Sequence, residues 1–129
     1  MSVSDAITRG VRVQVECDYL REESSPENNH YLFSYHVTVS NHSNQAVQLV
    51  SRHWIITDSD GKKEEVKGLG VVGSQPLIRP GESFTYSSYC PLNSPVGSMQ
   101  GTYQMVAADE EEFEAVIAPF TLAVPGMLN

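Results

Sequence analysis

The sequence predicts an all-β fold, a fibronectin type III/immunoglobulin-like β-sandwich of seven to eight antiparallel strands. Three observations carry that expectation. Apolar and polar residues alternate at a period of two in several segments. Turn-forming clusters return at spacings of roughly 8–15 residues, and no stretch keeps a helical period for more than one turn. The 129 residues suit one domain spanning 1–129, with an ordered core from about residue 10 to 125 and roughly 65–70% of the unfolded surface removed from water.

The clearest strand begins at Val11. Val13, Val15, Cys17 and Tyr19 share its face, while Arg12, Gln14, Glu16 and Asp18 take the other. The polar run 22–29 then reads as a surface loop. A second strand, Tyr31 to Ser40, puts Tyr31, Phe33, Tyr35, Val37 and Val39 on one side. Asn41-His42-Ser43-Asn44 reads as a tight hairpin turn. The third strand, Val47 to Thr57, breaks its own alternation, which predicts a covered second face or a bulge near Ser51-Arg52. Asp58-Ser59-Asp60-Gly61 is a strong hairpin signal. The charged return from Lys62 to Lys67 suits a sheet edge.

A glycine-rich stretch from Gly68 to Gly73 follows, and Arg79-Pro80-Gly81-Glu82 turns the chain into a further strand around Phe84 to Cys90. Residues 91–98, with two prolines, form a crossing loop. Met99, Gly101, Tyr103 and Met105 share the next face, and a last strand, Phe113 to Val124, is interrupted at Pro119. Tyr103 falls where such sandwiches place a tyrosine corner.

Composition narrows the function classes. Eight basic and sixteen acidic side chains leave a net charge of −8, a field that repels nucleic acid. No apolar run approaches the ~20 residues that span a bilayer. The start, MSVSDAITRGVRV, lacks the basic and apolar blocks of a secretory signal. A soluble cytoplasmic protein without nucleic-acid or membrane partners is expected. Cys17 and Cys90 are too few and too distant for a zinc site or redox pair and read as buried thiols.

Gly68-Leu69-Gly70-Val71-Val72-Gly73 matches the G-x-G-x-x-G pattern that brings a pyrophosphate to a helix N-terminus. Pro76 and Pro80 forbid that helix here, and no acidic residue follows at ribose distance. What remains is a turn that shapes the sheet, or a loop whose amides hold an anion unaided. Asp109 to Glu112, with Glu114 nearby, lacks the spacing of a calcium loop. His30, His36, His42 and His53 have no ligand spacing, so neither a metal nor a cofactor is expected. No serine sits in a nucleophile elbow, and no catalytic residues can be assembled.

Several short motifs in fixed order carry a resemblance. They are Ser25-Pro26, Tyr31-x-Phe33-x-Tyr35, Trp54-x-Ile56-Thr57, Gly70-Val71-Val72-Gly73-x-Gln75-Pro76, Pro80-Gly81-Glu82, Tyr86-x-Ser88, Pro95-x-Gly97-x-Met99-x-Gly101-x-Tyr103-x-Met105 and Pro119-Phe120-x-Leu122. Together they resemble the ApaG (CorD) family, over about residues 10–125. The resemblance implies a fibronectin type III-like sandwich and an association with cobalt resistance and magnesium efflux. It also implies protein–protein contacts, since similar domains are fused to F-box proteins and occur in a polymerase-delta-interacting protein. It supplies no catalytic residues. The acidic tip at Asp109–Glu112 departs from relatives that have a glycine-containing turn there.

Two readings follow. The first is a non-enzymatic module that binds a protein partner of unnamed identity, with self-association as a homodimer through an edge strand. The alternative is a nucleotide or pyrophosphate binder, of the diadenosine polyphosphate class, using Gly68, Gly70 and Gly73.

Overall fold

A computed structural model describes residues 2–126; the expected domain span runs past them at both ends. Among the described residues are nine strands: β1 (Ser2–Thr8), β2 (Val11–Tyr19), β3 (Tyr31–Asn41), β4 (Val47–Asp58), β5 (Lys63–Leu69), β6 (Leu77–Ile78), β7 (Ser83–Leu92), β8 (Val96–Ala107) and β9 (Glu112–Ala123). All pairings are antiparallel. One sheet runs β1-β2-β3-β7. The other runs β5-β4-β8-β9, with β6 also paired to β4. The fold is therefore the expected all-β sandwich. No helix among these residues is long and apolar enough to cross a membrane.

The strand count exceeds the expected seven to eight because of β1 and the two-residue β6. In β1 the usual pattern is inverted: Val3 and Ile7 face solvent, each 64% exposed, while Ser4 is buried. Small residues suit that inner side because β1 lies against β9, where the Val116 N–H donates to Thr8 Oγ1 at 3.0 Å. Arg9 adds an ion pair to Glu111 at 2.9 Å.

The turn at Asn41–Asn44 is not a hairpin. β3 and β4 lie in different sheets, and the segment carries the chain across the sandwich. Asn41 organises the crossing. Its fully buried amide donates to the carbonyls of Gln45 and Ile78, and its Oδ1 accepts from Ser43 N–H and Oγ. The Asp58–Gly61 turn does close a hairpin, with Gly61 at φ +83° and its N–H on the Asp58 carbonyl. The bulge in β4 falls at Val50, one position before the expected site, and a second irregularity in β9 spans the expected Pro119.

The core interleaves the two sheets. Val11, Val13, Val15, Phe33, Val37 and Val39 come from one; Leu49, Trp54, Met99, Met105, Ile117 and Leu122 come from the other. Trp54 sits at the centre, its ring 5.3 Å from Tyr35, 6.3 Å from Tyr103 and 6.1 Å from Phe120. Offset and edge-on aromatic pairs of this kind add about 0.5–1.5 kcal/mol each beyond area burial.

Tyr103 does not form a tyrosine corner. It lies inside β8, fully buried, and its hydroxyl is hydrogen-bonded to that of Tyr86 across the sandwich. Burial pushes both phenols well above their ordinary range, so both stay protonated. Tyr86→Phe or Tyr103→Phe alone strands one buried hydroxyl and is expected to cost about 1–3 kcal/mol. The double variant strands none and should cost clearly less than the sum of the two. A double-mutant cycle in urea checks this; additive losses would contradict it.

β1 and β9 close one side of the sandwich. The opposite side is open, between β5, whose edge carries Lys63, Glu64, Glu65 and Lys67, and β7, which carries no charged residue.

Candidate functional site

The glycine motif begins inside β5. Gly68 stands opposite Arg52 of β4, and a Cβ there would lie 2.9 Å from the guanidinium carbon. The first glycine therefore makes room for Arg52. The guanidinium lies over the chain, and its Nη1 donates to the carbonyls of Leu69 at 3.0 Å and Gly70 at 2.8 Å.

Gly70 adopts φ +61°, and a Cβ there would collide with the Ser74 carbonyl. The Gly70 N–H donates to the Val50 carbonyl at 2.8 Å. The Gln75 side-chain amide reaches the same carbonyl at 2.9 Å. The β4 bulge thus turns the Val50 carbonyl toward the loop, where it holds both ends. Val71 and Ser74 exchange two N–H···O=C bonds, at 2.8 and 2.9 Å. Between them Val72 (φ +42°) and Gly73 (φ +79°) form a two-residue turn, left-handed at both positions as in type I′. A β-branched residue such as Val72 rarely occupies that region.

The structure brings the three glycines into one compact loop. The amides of Gly70, Val71 and Ser74 are engaged by protein carbonyls, and those of Val72 and Gly73, at the tip, have no protein acceptor among the described residues. Apolar side chains point outward instead: Leu69 is 76% exposed, Val72 61% and Leu77 52%.

Beside this loop lies a groove on the outer face of the five-stranded sheet. It has a volume of about 480 Å³ and is lined by Ser51, His53, Lys67, Leu69, Gln104 and Glu114. A second depression of about 380 Å³ continues it past Val50 and Val106 to Glu112. A ladder of side-chain bonds floors the groove. Ser51 donates to Gln104 Oε1 at 2.7 Å, and Gln104 Nε2 donates to Glu114 at 3.0 Å. At the β5 rim His53 Nε2 meets Glu65 at 2.7 Å.

Sequence reasoning did not single out this groove. Ser51, His53, Lys67, Gln104 and Glu114 occupy the outward, polar parity of their strands, a signal each strand carries by itself. The order β5-β4-β8-β9 that makes them neighbours is set by topology, which no local pattern encodes.

The remaining sequence candidates are dispersed. At the acidic tip Glu111 pairs with Arg9. The Glu111 N–H on Asp109 Oδ1, at 3.0 Å, holds that carboxyl below its usual range. Among the described residues no three His, Cys, Asp or Glu side chains gather as a metal site. His36 Nδ1 bonds the Ser87 hydroxyl at 2.7 Å on the outer face of the other sheet. Cys17 and Cys90 are buried and form no disulfide, and burial pushes the Cys90 thiol up to about 12.

Fold and site together define a two-sheet β-sandwich module with a rigid, glycine-turned loop at the rim of a surface groove. The family of the ApaG domain matches residues 21–107. The ApaG protein of Thiobacillus denitrificans is 54% identical over 119 residues, covering 92% of this chain and 94% of that one. The ApaG protein of Pseudomonas entomophila is 52% identical over the same shares. The chain belongs to the ApaG family. A crystal structure named for the ApaA protein of Bordetella pertussis is similar at a TM-score of 0.88 and 47% identity, covering 90% of this chain and 94% of that one. The C-terminal domain of wzt, 10% identical with a TM-score of 0.56, is similar in fold alone.

Proposed function

We propose that this chain is a non-enzymatic protein-binding module of the cytoplasm that docks its partner on the outer face of the five-stranded sheet, around Leu69, Val72 and Leu77. One observation carries the reading: the glycine loop directs apolar side chains outward while the amides of Gly70, Val71 and Ser74 are held by carbonyls of the protein itself. A rigid loop with exposed apolar tips suits burial against another protein, because little ordering entropy remains to be lost on binding. The association with cobalt resistance and magnesium efflux implied by the family resemblance would then run through that partner.

The test uses the Leu69→Asp/Leu77→Asp double variant. Both positions are exposed, so stability should change by no more than about 0.5 kcal/mol each. A partner captured by the tagged wild-type protein is identified, purified and titrated against both forms. The double variant should bind about thirtyfold more weakly or worse, the loss of a central apolar contact. Equal affinity for the two forms overturns the reading.

Self-association fits the same module. β7 is a ten-residue edge without a charged side chain, and uncharged, regular edges are the ones that pair with further strands. Sedimentation should show a dimer that Thr85→Lys dissociates; a dimer indifferent to that change rules out the β7 edge.

A second reading keeps one observation in its favour. Lys67, His53 and Arg52 edge the groove beside Gly68, and the Val72 and Gly73 amides have no protein acceptor among the described residues. A nucleotide polyphosphate would use those groups. Glu65 and Glu114 stand among them, and the net charge of −8 opposes a polyanion.

A further inference from the structure

The open side of the sandwich holds a second cavity that neither reading uses. It occupies about 220 Å³ between the edges of β5 and β7, with Tyr35, Arg52, Trp54, Val66, Ser88 and Cys90 among its walls. That is below the roughly 300–1,000 Å³ of sites that take drug-sized ligands, so any occupant is small. Ile56, Val66, Pro91 and Met99 give it apolar sides.

Its polar groups include the Arg52 guanidinium, the hydroxyls of Tyr35 and Ser88, and the Glu64 carboxylate. Arg52 has no carboxylate partner among the described residues; Nη1 alone is engaged, on two backbone carbonyls. The Trp54 indole N–H is buried without a hydrogen-bond acceptor. It lies beside the Tyr86 oxygen, where it favours that phenol's ionised form, and Tyr86 is not among the walls of the cleft. The hydroxyls of Tyr35 and Ser88 come from facing positions of β3 and β7. A partly buried cation without a counter-charge is costly in an apolar wall. An anionic acceptor offsets that cost.

The cavity also limits that anion. Glu64 stands at the far end of the cleft, four residues along β5 from Gly68 and so roughly 13 Å away. With one cation near and a carboxylate beyond it, a polyanion is disfavoured and a monoanion with an apolar body is accommodated. Burial and the pushed-up Cys90 thiol leave no nucleophile there, so the chemistry is binding alone.

We propose that the cleft between β5 and β7 binds a carboxylate carried on a small apolar body, with Arg52 receiving the carboxylate. A free aromatic acid and the C-terminal residue of a partner chain share this chemistry. Trp54 is the only tryptophan and lines the cavity, so its fluorescence reports occupancy directly.

Phenylacetate and N-acetyl-glycyl-phenylalanine, each against its primary amide, are titrated into the full chain. The acid of at least one pair should give a saturable change at millimolar concentration or below, and its amide should bind about tenfold more weakly, as loss of a charge-assisted bond requires. The tighter of the two acids identifies the source. Arg52→Gln should weaken the acid to the level of its amide. Because Arg52 also braces the glycine loop, Val66→Phe serves as the second variant: it fills the cleft from an edge strand, keeps Arg52, and should abolish binding with the melting temperature unchanged. No saturable response from either acid up to ~10 mM, well below ordinary site affinities, overturns the proposal. So does equal affinity for acid and amide, or undiminished binding by Val66→Phe.

Discussion

Gly101→Ala is expected to lower stability by more than about 3 kcal/mol, past the usual range for overpacking, and to leave much of the protein unfolded near 37 °C. Gly101 lies in β8 opposite Trp54 of β4, and a Cβ on it would run into the His53 carbonyl oxygen and approach Trp54 Cα at 3.1 Å. Both obstacles are backbone, so no rotamer change relieves them. The two central strands would have to separate beside the one tryptophan that anchors the core. A chain of this length loses about 4 °C in melting temperature per kcal/mol, so a drop of more than about 10 °C follows. Thermal unfolding by circular dichroism checks it, and a melting temperature within a few degrees of wild type would contradict the packing described for β4 and β8.

Gly70→Ala is the second large effect. Its φ of +61° costs an L-residue about 1–2 kcal/mol, and the Cβ meets the Ser74 carbonyl as well. We expect a total of about 3 kcal/mol, with the loop released from Val50. Gly73→Ala is the control. It shares the positive φ, +79°, but a Cβ there meets nothing within 4 Å, so only the conformational cost of about 1–2 kcal/mol remains. Urea denaturation of the two variants separates collision from backbone preference. Equal losses would mean the Gly70–Ser74 approach does not constrain the loop.

Much of this architecture was legible from side-chain periodicity. β2, β3 and β7 alternate cleanly because each has one buried and one wet face, and the Asp58–Gly61 turn declares itself through its glycine. β1 escaped because its apolar residues point outward and its inner side is small and polar, the reverse of the rule. The Asn41–Asn44 crossing was misread because polar turn residues serve a hairpin and a sheet-to-sheet arch equally well. What distinguishes the two is the buried Asn41 amide bonded to Ile78, 37 residues on. Tyr103 was assigned a corner from its expected place at a strand start, whereas β8 begins seven residues earlier. Gly68, Gly70 and Gly73 were visible as a motif, but their separate reasons were not. One clears Arg52, one clears Ser74 and one turns the tip, and each reason depends on a residue outside the motif or on its fold. The groove and the β5–β7 cleft needed strand order, which only the assembled sheets provide.

The glycine loop is a braced structural turn, and in the proposed function its outward side chains, not its amides, meet a partner. The most direct measurement is an NMR titration of isotope-labelled protein with ATP and with diadenosine tetraphosphate, each with and without magnesium, following the amides of Gly68, Gly70 and Gly73. The account predicts no saturable shift of these amides at millimolar ligand. Shifts confined to this loop and saturating at micromolar ligand would contradict it and make the glycine motif a polyphosphate site.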